Sequence, residues 1–367
     1  MPNNVEHILY WELKYIPVKK NFIFSSPLFN FQQIYFMKKS VFLLLSLSWF
    51  TMNAQDTTYA ERLGFPINAR VVILHMDDAG MSLSSNEGIE KVFANGVANS
   101  TSVMMPCAWV PQIVRYIKDH PGVDAGLHLT LTSEWKDYRW VPLAGASVVP
   151  GLTDSTGSLW ADVADVVKHA GAEEVDKEIR AQLDRAEKMG FHPTHLDSHM
   201  GTLFASSSFL EKYIQLGIEK QVPIMFPGGQ DANIQKEMFL TNDQIHYFQN
   251  LGKKIWEGGL PLLDDLLNAS YDWNPPVQIA KDSIALTKWR VGMYEKAMLQ
   301  LNLGVTMVIM HCTDPSPIFS QITDSGDKRK ADMLAMLDPG FKKFLADNGF
   351  ILTTWRELME RRQKLKN

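Results

Sequence analysis

Four short stretches of the chain carry side chains that bind metals or move protons: His75-Met76-Asp77-Asp78-Ala79-Gly80, Gly126-Leu127-His128-Leu129-Thr130-Leu131, Thr194-His195-Leu196-Asp197-Ser198-His199, and His311 with Cys312-Thr313-Asp314-Pro315. In the adjacent pair Asp77 and Asp78, one carboxylate suits a metal and the other suits a proton. A neighbouring cation would keep both ionised despite their repulsion. The plainer reading is a turn in which an Asp caps the following helix. His128 is one imidazole among apolar neighbours and gains meaning only in company. A strand period of two puts His195, Asp197 and His199 on one face. Three polar groups on a buried strand are costly unless paired or ligating, so one of these histidines suits a ligand and Asp197 suits the group that orients an imidazole. His311 has the chemistry of a general acid.

All four stretches end apolar runs of strand length, and the runs alternate with stretches of helical length. Val71 to Met76, Ala98 to Met105, Asp124 to Leu131, Thr194 to His199, Val222 to Phe226, Val305 to Met310 and Phe350 to Thr353 read as strands. Between them, helices are expected after Ser84 or Ser85 up to Gly96, and over 111–120, 172–189, 211–220, 279–301 and 327–347, with another at the C-terminus. That alternation is the signature of βα units around a parallel sheet or barrel. Parallel α/β folds place ligands at the C-terminal ends of their strands, where the four stretches fall. Residues 132–160 read as a long loop, and 227–280 as a loop-rich insertion in a single domain spanning 66–365.

Composition narrows the function classes. Of 367 residues, 46% are hydrophobic and 21% charged, which disfavours disorder and multi-pass membrane proteins. A formal net charge of -5 lacks the basic excess of a nucleic-acid binder. Cys107 and Cys312 are too few for a disulfide scaffold and lack the spacing of a structural zinc site. Met37-Lys38-Lys39, the apolar run from Val41 to Met52 and Asn53-Ala54-Gln55 follow the order of a secretory signal peptide over 37–54, with cleavage after Ala54. The apolar run is short of the about 20 residues that span a bilayer. The expectation is export to the periplasm or beyond, without stable membrane insertion, in a compartment where the two cysteines could pair. Residues 1–36 have no sustained periodicity and are expected to be an extension ahead of a true start at Met37.

In their order, these stretches resemble the YdjC-like carbohydrate deacetylases, the group that includes chito-oligosaccharide and hopanoid-associated deacetylases. The likeness runs through His75 to Ser82, Asn86-Glu87-Gly88-Ile89, Gly96-Val97, Ser100-Thr101-Ser102, Gly126 to Leu131, Pro193 to His199 and the His311 segment. The resemblance implies a distorted (β/α) barrel of the polysaccharide-deacetylase type. It also implies one divalent metal, zinc or magnesium, held by Asp78, His128 and His199, with Asp77 as base and His311 as acid. The family usually continues the His199 run with two more histidines, where this chain has Met200-Gly201-Thr202-Leu203.

The reaction implied is hydrolysis of the N-acetyl group of an amino-sugar oligosaccharide. Trp109, Trp135, Trp140 and Trp273 lie in or near expected loops and are candidate platforms for a sugar. The alternatives are a non-catalytic glycan-binding protein on the same fold, a metal-dependent hydrolase of another ester or a phosphate, and a metal-free glycosidase built on Asp pairs. The intact acid and histidine set argues against a binding protein. No Arg cluster or Gly-rich phosphate loop favours a phosphoesterase.

Overall fold

The computed structural model describes residues 57–229, 232–238 and 240–365. The expected signal peptide and the extension before it lie outside the described residues. In chain order the elements are α1 (Tyr59–Arg62), β1 (Arg70–Ala79), α2 (Leu83–Asn95), β2 (Ser100–Val103), α3 (Val110–Asp119), β3 (Asp124–Leu129), α4 (Val163–His169), α5 (Ala172–Lys188), β4 (Leu196–Ser198), α6 (Ser207–Lys220), α7 (Ala232–Met238), α8 (Asn242–Glu257), β5 (Asp265–Leu267), α9 (Ser283–Met298), β6 (Gly304–Met310), α10 (Gly326–Leu337), α11 (Pro339–Asp347), β7 (Phe350–Leu352) and α12 (Trp355–Lys364). Among these no helix is long and apolar enough to cross a membrane.

Every strand pairing is parallel, in the order β4-β3-β2-β1-β6-β5. β7 pairs with Arg70 to Val72 of β1, and β2 pairs with His75 to Ala79 farther along the same strand. The open edges of β4 and β5 are joined through residues 222–227. Ile224 bridges Leu196 and Pro227 bridges Leu263, with Met225 N–H donating to Leu196 O at 2.8 Å. Val222 to Phe226 therefore carries one isolated bridge, at Ile224, rather than the expected strand, yet with the bridge at Pro227 it closes a distorted barrel.

The period of two along β1 sorts its residues by face. Val72, Leu74 and Met76 pack outward against helices. Val71 and Ile73 point inward with Val305, Met307, Ile309, Leu266 and Trp355. His75 and Asp77 continue the inward set beside Ser100 and Ser102 of β2, so one side of the interior is polar and the other apolar. Trp355, fully buried at the start of α12, forms part of the barrel floor.

Several expected boundaries move for local reasons. Ser82, not Ser84 or Ser85, caps α2, its hydroxyl accepting from Ser85 N–H at 3.0 Å. Pro339 starts a new helix, so the helical stretch at 327–347 is two helices. The 227–280 stretch supplies α7, α8 and β5, a strand of the main sheet that its Asp264-Asp265 start concealed. Buried Asp264 accepts backbone N–H groups from Tyr59 at 2.8 Å, Ala60 at 3.1 Å and Val305 at 2.8 Å, tying α1 to β6. Cys107 and Cys312 are free and buried.

Candidate active site

β1 continues through Asp77 and Asp78 before a turn at Gly80, and the register with β2 breaks between Met76 and Ala79. Asp78 takes a left-handed φ of 68°, which swings its carboxylate to the same mouth as Asp77. Asn86 on α2 fixes the turn: its side-chain oxygen accepts Gly80 N–H at 2.7 Å and its amide donates to Trp109 O at 3.0 Å.

Asp78 Oδ1 lies 3.5 Å from His128 Nε2 and 3.6 Å from His199 Nδ1. These separations are long for hydrogen bonds, and Asp78 Oδ1 is buried without a hydrogen-bond partner. They match the about 3.4 Å edge of a tetrahedron with metal–ligand bonds near 2.1 Å. The other ends of both imidazoles face carboxylates: His128 Nδ1 donates to Asp197 Oδ1 at 2.6 Å, and His199 Nε2 to Glu134 Oε2 at 3.1 Å. That is the arrangement by which carboxylates orient metal-binding histidines. The three residues the resemblance implied as ligands are thus brought together, and their donor set fits a divalent cation.

Electrostatics at the mouth favour charge. Burial pushes the Asp78 carboxyl up, but Arg329, whose guanidinium donates to Asp78 Oδ2 at 2.6 Å, together with His199 and His311, holds it well below the usual carboxylate range. Burial works against a cationic His199, yet Glu134 and Asp78 raise it to about 10. His128 is likewise raised against burial by Asp77 and Asp197.

Asp77 stands beside this trio rather than within it. Its Oδ2 is 3.9 Å from both His128 Nε2 and His311 Nε2. Asp332 holds the start of the His311 segment by accepting its backbone N–H at 3.0 Å. Tyr271 packs on the His311 ring with centroids 4.8 Å apart. Burial, then Arg329, holds the His311 imidazole below its ordinary value.

The remaining expected residues divide. Asp197 lies against His128, accepting from its Nδ1 at 2.6 Å. His195 does not reach the three ligands. It lies deeper, stacked on Trp355 at 5.3 Å and edge-on to His75 at 5.0 Å. β4 spans only Leu196 to Ser198, and His199 opens a tight turn through Met200 and Gly201, both at positive φ. Trp109 is 40% exposed at the N-terminus of α3. Trp135 is half-buried and lies over the Arg329 guanidinium at 5.8 Å. Trp140 is only 5% exposed, and its indole N–H donates to Thr132 O at 2.8 Å. It props the site from behind instead of offering a sugar platform. Trp273 packs on Tyr294 and Arg290 in the same supporting manner. Sequence reasoning missed Glu134, Arg329 and Asp332, and gave His75, which opens the first stretch, no role of its own. A Glu next to Trp135 in the long loop was the only local signal for any of them.

A curled parallel barrel with two imidazoles and one carboxylate facing a separate Asp and His at its mouth defines the class: a distorted α/β barrel with a candidate metal site at the C-terminal ends of its strands. The family model for YdjC-like protein matches residues 71–347, and the chain belongs to that family. A carbohydrate deacetylase from Thermus thermophilus is 30% identical over 82% of this chain and 97% of its own length. Another, from Brevibacillus brevis, is 31% identical over 48% of this chain and 68% of its own. The crystal structure of a candidate cellobiose-phosphate cleavage protein from Enterococcus faecalis V583 shares the fold, with a TM-score of 0.62 at 19% identity over 79% of this chain and 99% of that one.

Proposed function

We propose that this protein is an exported, metal-dependent carbohydrate deacetylase that hydrolyses N-acetyl groups of amino-sugar oligosaccharides. One observation carries the reading: Asp78 Oδ1, buried and without a hydrogen-bond partner, faces two imidazoles that carboxylates orient from behind, with Asp77 and His311 beside them. The family and the carbohydrate deacetylases among its relatives support the substrate class.

Asp78, His128 and His199 would hold the ion. Two nitrogens and one carboxylate favour zinc over magnesium, which prefers an all-oxygen octahedron. When bound, such an ion lowers the pKa of water and polarises the acetyl carbonyl. Asp77 takes a proton from the attacking water at Oδ2, the oxygen that faces His128 and His311. Water oxygen bonds to the acetyl carbon, the C–N bond breaks, and the nitrogen leaves with a proton from His311 Nε2. Asp77 Oδ2 and His311 Nε2 lie 3.9 Å apart, and the proton the base collects balances the one the acid delivers. The products are acetate and a free amine.

The experiment is acetate release by the purified protein from a panel of N-acetylated oligosaccharides, with added zinc or magnesium and with chelator. Release that chelator abolishes and metal restores is the expected result. No release from any member, by folded and metal-loaded protein, would replace this reading with the glycan-binding one. Export is tested by N-terminal sequencing of the mature product, which is expected to begin at Gln55.

A further inference from the structure

His75 lies beneath the mouth, fully buried, and plays no part in the chemistry just described. Its Nδ1 is 2.9 Å from Ser100 Oγ, and that hydroxyl donates its single proton to Asp124 Oδ2 at 2.8 Å. Asp124 can only accept, because it also receives the backbone N–H groups of Trp355 and Arg356 at the start of α12. Ser100 must therefore accept from His75, which puts a proton on Nδ1. Nε2 sits 3.1 Å from Asp77 Oδ1 and 3.0 Å from Asp197 Oδ2. Ser102 Oγ is a third neighbour of Nε2, at 3.1 Å, and the two carboxylate oxygens, both buried, have no hydrogen bond and face the ring as ion-pair partners. A bare nitrogen lone pair facing two carboxylates would be repulsive, so Nε2 carries a proton as well.

The groups facing the ring are Asp77 from its own strand, Ser100 and Ser102 from β2, and Asp197 and His195 from β4. His195 is held below its ordinary value by burial, so it brings no competing cation. The same grouping of His75, His195 and Asp197 has ligating atoms close enough for a second metal. A ring with both nitrogens protonated cannot ligate, so the charge state of His75 decides between the two uses of this grouping.

We propose that His75 is a positioning residue, an imidazolium that clamps one oxygen each of Asp77 and Asp197. The clamp leaves Asp77 Oδ2 aimed at the attacking water and Asp197 Oδ1 aimed at His128. Through these two carboxylates one cation sets the direction of the base and of a ligand histidine. The role in catalysis rests on the deacetylase reading above, whereas the charge state of His75 does not.

Two measurements test it. Side-chain nitrogen NMR of the histidine-labelled wild-type protein at neutral pH reads the charge state directly. The His75 signal is assigned by its loss in His75→Gln, or in His75→Asn if the first variant fails to fold. Both ring nitrogens protonated is the expected result, and a neutral imidazole would overturn the proposal. In kinetics, at saturating metal, His75→Leu is expected to keep its KM while kcat falls about 10–100-fold, the usual range for groups that orient ligands. His75→Gln, which restores a donor, is expected to recover part of that loss at the same melting temperature. A folded, metal-loaded His75→Leu with wild-type kcat would overturn the positioning role. Wild-type protein that releases no acetate would defeat the deacetylase reading instead, and the NMR result would still decide the charge of His75.

Discussion

Asp77 and Asp78 are chain neighbours with different surroundings, and the proposed division of their work follows that difference. Asp78 is gripped by Arg329 on one oxygen and faces two imidazoles with the other; Asp77 keeps one oxygen towards His75 and one towards the mouth. The order of acids and histidines made Asp78, His128 and His199 legible in the sequence. Arg329 was not legible, because it reaches Asp78 across 251 residues from a helix whose charge reads as ordinary surface. Glu134 was hidden in a loop without periodicity. Its removal is predicted to matter: Glu134→Gln should weaken metal binding about 10–100-fold while leaving kcat intact at saturating metal, as read by metal titration and acetate release. The histidines predict a pH effect on the metal-free protein. Carboxylates raise His75 to about 9 and His199 to about 10 against the opposing effect of burial. Groups with raised folded-state values add stability that is fully present below their unfolded value of 6.5 and is lost as pH rises through the folded values. The melting temperature of metal-free protein should therefore fall between neutral pH and pH of about 10, and His75→Gln should flatten the earlier part of that fall.

At the scale of elements, short strands deliver the site and neighbouring backbone makes room for it. A side chain at Gly126 would place its Cβ 2.5 Å from the His195 ring and 2.6 Å from the His195 carbonyl, so only glycine lets β3 and β4 pair while His195 occupies the interior. Gly126→Ala is predicted to cost about 1–3 kcal/mol in denaturant unfolding, the range for an overpacked core, and to weaken metal binding by moving Asp197. Wild-type stability in that variant would refute the packing argument. α10 does two tasks at once, sending Arg329 to Asp78 and Asp332 to the His311 backbone. Its amphipathic pattern announced a helix, but pattern alone does not tell which polar residues face inward. β5 escaped the sequence reading for a related reason. It is three residues long and starts at Asp265 beside Asp264, and the backbone donors that satisfy Asp264 become visible only once the chain is folded.

At the scale of the whole molecule, alternating apolar runs and helices foretold a parallel α/β barrel, and the described residues form one. The route of closure was not foretold, since it depends on isolated bridges at Ile224 and Pro227 rather than on a strand. The polar half of the interior lies under the C-terminal mouth, where the carboxylates and imidazoles gather, and the apolar half carries the packing. The central claim is a division of labour: Asp78, His128 and His199 hold an ion, and Asp77 handles the proton. Its most direct test is Asp77→Asn, with metal content and acetate release measured on the same preparation. The account predicts one metal per chain in a folded protein and a loss of kcat of at least about 100-fold, as expected when a general base is removed. A metal-loaded Asp77→Asn protein that releases acetate at the wild-type rate would contradict it.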